Sequence, residues 1–139
     1  VVLMLTNGPG PEGVYTGAAY EGVRFFPWIG EKLQFLLVPL FGFTSPSAVS
    51  VPITSLGSAG AAISLIPAMV AEGTARANDI AVFTAMSMCW SGYLSTHVAM
   101  MDSLNERKFT GAAILCHTIG GLCAGVAANL LYRLLTLIW

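Results

Sequence analysis

With 139 residues, 55% of them hydrophobic and only 9% charged, this chain lacks the polar residues needed to cover a water-facing surface, since soluble domains carry roughly 25% charged residues. The length suits about one domain, and a formal net charge of -1 offers no basic face for nucleic acid. Composition therefore predicts a single-domain, all-α integral membrane protein whose first partner is the lipid bilayer.

The chain opens with "VVLML" (1–5), too short to span a bilayer. It reads as the tail of a longer helix, so a fragment or processed product is expected. No basic-apolar-small pattern of a signal peptide follows. The Gly and Pro of "NGPGPEG" (7–13) predict a loop. Residues 14–30 mix Tyr15, Tyr20 and Trp28 with Glu21 and Arg24, which predicts a helix lying at the membrane interface. Glu31 and Lys32 then mark a polar edge, closing an N-terminal segment at residues 1–32.

Residues 33–72 are apolar but interrupted by Pro39, Gly42, Pro46, Pro52 and Pro67. Two short apolar arms, 33–44 and 61–70, flank the uncharged stretch "TSLGSAGAAIS" (54–64). This arrangement predicts a re-entrant helical hairpin with a Ser/Gly tip, tolerable in a membrane only where the tip is buried in protein or faces a wet cavity. After a polar loop, Asn78 is expected to cap the next helix and Asp79 to suit its positive end. Residues 78–102 are long enough to span, yet Ser87, Ser91, Gly92, Ser95, Thr96 and His97 crowd the middle, so a broken transmembrane helix is expected. The charged loop 102–108 leads into a long transmembrane helix over 109–139, with Arg133 and Trp139 near an interface. Arg107 and Lys108 favour a cytoplasmic loop, but the charge bias is weak and permits either orientation.

The hydroxyls, freed carbonyls and helix ends at both breaks can bind a solute or cation, as interrupted helices do in transporters; the same small residues also allow close helix packing. His97 reads either as a functional group or as a neutral side chain bonded to a nearby hydroxyl or carbonyl. Ala113, His117, Gly121 and Gly125 recur every four residues and predict a helix-packing face. Cys89, Cys116 and Cys123 lack ligand spacing and read as small buried hydrophobes. No nucleophile with its base, membrane carboxylate pair or phosphate loop is present in the pattern, so an enzyme and a resident cofactor are not expected.

The order of surface helix, hairpin, broken helix and long helix, carried by "LGSAGAA", "IPAMVAEGTARANDIAVF" and "MCWSGYLSTH" within residues 54–97, resembles one half-repeat of the concentrative nucleoside transporter fold. More closely, it is similar to the nucleoside-recognition (Gate) domain family of bacterial membrane proteins. The resemblance implies a transport core in which the hairpin tip and the unwound helix jointly hold the solute. Thr54, Ser55, Gly57 and Ser58 would supply the tip, and Trp90, Ser91, Gly92, Ser95, Thr96 and His97 the unwound helix. Nucleoside transporters carry Gln and Glu at the tip; this tip has only Ser, Thr and Gly, a departure that bears on the solute.

The expectation is a multi-pass protein of the bacterial cytoplasmic (inner) membrane that moves a nucleoside-like solute or a cation, with room for a coupling cation such as Na+. One half-repeat makes half a site, so a homodimer, antiparallel in one version, or a sister half is expected to complete it. The alternative is a structural or regulatory membrane subunit that stabilises a partner through the small-residue stripe.

Overall fold

In the computed structural model of the chain, residues 4–5, 7–10, 13–19, 21–90 and 93–138 are described. Every regular element ordered along them is helical: α1 (Phe25–Phe41), a 3-10 turn (Pro46–Val49), α2 (Ser50–Ser55), α3 (Ala59–Ala71), α4 (Ala77–Trp90), α5 (Tyr93–Ser103), a second 3-10 turn (Arg107–Phe109) and α6 (Thr110–Ile138).

The expected interfacial helix over 14–30 does not form. Residues 14–18 are irregular and α1 starts only at Phe25. Gly13 and Gly17 sit at φ 76° and 79°, left-handed backbone that does not continue a helix. Glu21 organises the loop instead, accepting from the backbone N–H groups of Thr16 and Gly17 at 2.8 Å each and from the Thr16 hydroxyl. Tyr20 lies outside the described residues. The polar edge at Glu31 and Lys32 is likewise no boundary: both lie inside α1, on its exposed side.

Of the expected helix breakers, Gly42 and Pro46 act, while Pro39, Pro52 and Pro67 lie within helices. α1 runs through Pro39 and ends at Gly42, whose φ of 65° forms a left-handed cap with its N–H on the Val38 carbonyl at 2.8 Å. Pro46 opens the 3-10 turn, and Pro67 stays within α3. The chain bends by 79° between α1 and the Pro46–Ser55 segment. A hairpin follows, with α2 as one arm, Leu56–Ser58 as the tip and α3 as the other. Its two ends meet: the Ser45 hydroxyl donates to the Thr74 carbonyl at 2.8 Å. Ser58 caps α3, accepting from the Ala61 N–H at 3.3 Å.

α4 and α6 form the most extensive helix pairing. They run antiparallel, because Trp90 at the end of α4 meets His117 and Gly121 early in α6, while Met86 meets Gly125 further along it. The core lies between the hairpin, α4 and α6, where Phe43, Val51, Ala62, Val82, Phe83 and Met86 are buried. Phe43 stacks on Phe41 and tilts against Phe83, with centroids 5.3 and 5.7 Å apart.

Among the described residues, one helix, Arg107–Ile138, is long and apolar enough to cross a membrane, and a second is reached if the bent pair Phe25–Phe41 and Pro46–Ser55 counts as one span. Only 17% of the most apolar stretch of the long helix is buried. The expected spanning length of 78–102 is divided between α4 and α5, at 14 and 11 residues. Ser91 and Gly92, on which the break was expected, lie outside the described residues, as do Val1 and Trp139. Cys116 and Cys123 are exposed and Cys89 is half-buried, so the reading of all three as buried hydrophobes does not hold.

Candidate functional site

The hairpin tip and the end of α4 flank one cavity. It measures about 210 Å³ and is lined by Ala59, Ile63 and Ile66 of α3 and by Phe83, Thr84, Ser87 and Met88 of α4. The tip residue Ser58 immediately precedes Ala59, so the cavity begins next to the hairpin tip, while the second interruption read from the sequence, at Ser91 and Gly92, lies outside the described residues. The cavity lining is nearly all apolar. Thr84 spends its hydroxyl on the Ile80 carbonyl at 2.8 Å. Ser87 is 8% exposed, and its hydroxyl makes no hydrogen bond among the described residues, leaving one polar group free for an occupant.

The tip hydroxyls expected to bind solute are mostly committed to the backbone. Thr54 is buried and donates to the Ser50 carbonyl at 2.6 Å; Ser55 is fully buried and donates to the Pro52 carbonyl at 2.6 Å. These bonds back onto the preceding turn are the usual local use of Ser and Thr in apolar helices. Gly57 and Ser58 are exposed at the tip.

The second group of expected solute ligands is split. Ser95 and Thr96 are exposed within helical α5. Trp90 is buried, with its indole N–H donating to the His117 carbonyl at 3.0 Å. His97 is 4% exposed, and its Nδ1 faces the Tyr93 carbonyl. A carbonyl only accepts, so Nδ1 carries the proton; in the neutral ring Nε2 is then a lone pair, and the partnered His117 Nδ1 donates to it. The two rings meet edge to face, with centroids 4.3 Å apart. Trp90 and His97 thus join the α4–α5–α6 contact and do not line the cavity.

The small-residue stripe is occupied by the chain itself. Gly121 lies under the Trp90 ring, where a Cβ would collide with the indole. At Gly125 a Cβ would meet Met86 at 2.8 Å and Phe41 at 2.9 Å. Ala113 is half-buried, and His117 is exposed apart from its ring contact. Of the face that the alternative reading reserved for a partner, Gly121 and Gly125 are covered by α4 and α1, while His117 stays largely exposed.

A second polar constellation sits at the opposite end of α4. Asp79 is fully buried. Its carboxylate accepts from the Thr44 N–H at 2.9 Å and from the Thr44 hydroxyl, and reaches back to the Arg76 N–H at 2.9 Å. It thereby ties the segment before the hairpin to the segment after it, at the positive end of α4. Asn78 does not cap the helix, because Arg76 occupies that position: Ile80 N–H donates to the Arg76 carbonyl at 3.1 Å. Asn78 instead donates to the Phe41 and Gly42 carbonyls at 2.9 and 3.1 Å. Fully buried Asn129 of α6 donates to the Leu40 carbonyl at 2.9 Å and accepts from Arg133 Nε at 3.1 Å. The last carbonyls of α1 have no partner in their own helix, and these two amides supply it. The signal for this cluster in the sequence was polar residues inside apolar helices; that Asn78 and Asn129 meet is set by the fold.

Among the described residues no group of three or more His, Cys, Asp or Glu side chains could hold a metal. No protein-family model, curated protein or solved structure matches the chain.

Proposed function

We propose that the chain is one half of a membrane transport unit that binds a small solute in the cavity between the hairpin's second arm and α4. The observation that carries this reading is a cavity between α3, just past the hairpin tip, and the second half of α4, where Ser87 is a buried residue whose hydroxyl makes no hydrogen bond among the described residues. A hairpin that returns to its starting level, and one exposed helix of spanning length, support an inner-membrane setting. The described lining has no carboxylate, which favours a neutral solute with an apolar or aromatic body and one hydrogen-bonding group over a cation. The likeness of residues 54–97 to the Gate family supports the same class, with a second copy or a sister half completing the site. In this reading the hairpin moves relative to α4 and alternately opens the cavity.

A thermal-shift screen of the detergent-purified chain against nucleosides, nucleobases, amino acids and cations tests it. A ligand at 100 times its dissociation constant adds about 2.7 kcal/mol. The expected result is a shift with one ligand class that disappears in Ser87→Leu, where the larger side chain fills the cavity. A folded wild-type chain that responds to none of the four classes would move the weight to a structural subunit.

A further inference from the structure

At the end of α4 remote from that cavity, Arg76 and Arg133 line one cleft of about 340 Å³ together with Asn78, Asn129, Tyr132 and Thr136. Two like charges sharing a cleft repel unless an anion lies between them. Among the described residues no carboxylate pairs with either guanidinium. The described ion pairs are Arg107 with Asp102 and Lys108 with Glu106, at the other end of α6. The one nearby carboxylate, Asp79, is fully buried and bonded to Thr44 and to the Arg76 backbone. The Arg76 side chain makes no hydrogen bond among the described residues. Arg133 is held by a single bond from Nε to Asn129, itself fixed to the Leu40 carbonyl. That leaves the two terminal nitrogens of an oriented guanidinium unengaged, the fork that matches two oxygens of an oxyanion.

We infer that this cleft binds a phosphate group, its charged oxygens held between the Arg76 and Arg133 guanidinium groups and its ester side facing Tyr132 and Thr136. The same chemistry comes from a phospholipid headgroup or from a soluble phosphate. Arg133 lies close to the end of the one helix of spanning length, the level at which headgroups and snorkelling cations meet. The inference stands apart from the transport reading, since its residues and the cavity residues lie at opposite ends of α4.

The test is thermal stabilisation of the detergent-purified full chain by phosphatidylglycerol, by diacylglycerol as the phosphate-free lipid, and by inorganic phosphate against chloride at equal ionic strength. Phosphatidylglycerol is expected to stabilise and diacylglycerol not. Arg76→Gln and Arg133→Gln should each weaken the apparent affinity by about tenfold or more, the effect of one charge-assisted hydrogen bond; Arg133→Lys, which keeps the charge but not the fork, should fall between. Stabilisation by inorganic phosphate alone would assign the same site to a soluble ligand. Equal response to both lipids, a response untouched in both Gln variants, or no response to any probe would overturn the inference. Both arginines are exposed and Arg76 has no side-chain partner to lose, so the variants should fold.

Discussion

The two ends of α4 solve opposite problems. At the start, a carboxylate and two amides lie buried or half-buried among the ends of α1, α3 and α6, and nearly every polar atom there has a partner. The remaining buried atom without one is the Asn78 side-chain oxygen. At the far end, beside the hairpin tip, the packing is loose and apolar, with a cavity and one uncommitted hydroxyl. Polar satisfaction fixes the first end, because breaking it would strand desolvated groups. At the second end Trp90 ties α4 to α6 through the His117 carbonyl, but among the described residues no side-chain hydrogen bond ties α4 to the hairpin tip. The hairpin is therefore anchored by side-chain hydrogen bonds where it begins and ends, and its tip meets α4 through apolar contacts.

Removing the anchor should have the largest effect. Asp79→Ala deletes the acceptor for both Thr44 donors and for the Arg76 N–H, and should cost about 3 kcal/mol or more, read as a lowered unfolding midpoint in detergent. If the loss were below about 1 kcal/mol, the contrast between a fixed and a free end would fail. Next comes the α4–α6 contact that both ends share. Gly121→Val forces the Trp90 ring off its seat, an overpacking that costs about 1–3 kcal/mol and should shift Trp fluorescence.

At the tip the expectation reverses. Ser87→Ala should leave stability within about 0.5 kcal/mol of wild type, because its hydroxyl makes no hydrogen bond among the described residues. It should still weaken the stabilising ligand by about 1 kcal/mol. A stability loss as large as that of Asp79→Ala would mean the far end is as tightly specified as the near one.

The smallest effect lies outside the helices. Hydrogen bonding from Thr16, chiefly through its hydroxyl, holds the Glu21 carboxyl below its usual range, with the Gly17 N–H adding to it. A depressed carboxylate contributes order that is complete above its ordinary value and is lost as pH falls through the lowered one. Amide protection at Thr16 and Gly17, taken relative to the intrinsic exchange rate at each pH, should therefore hold at neutral pH and drop only under clearly acidic conditions, while Glu21→Gln should lower protection already at neutral pH.

The sequence alone determined that the chain is helical. Of the stretch 54–64 read as a hairpin tip, Leu56–Ser58 is the turn and the rest is helical, while the arm expected at 33–44 lies in α1 and the segment after it. Local chemistry also sufficed at Gly42, where a left-handed cap ends α1. It failed at Pro39 and Pro67, which helices absorb, and at residues 13–19 and 21–24, where left-handed Gly13 and Gly17 and the Glu21 side chain build a loop. Only the tertiary structure decided what the polar residues do. Thr54 and Ser55 turn to their own backbone, Trp90 and His97 to α6, and Asn78 and Asn129 to the end of α1. The reason is physical: an apolar helix must find partners for every polar atom it buries, and which partners lie within reach depends on elements as far as 89 residues apart in the chain.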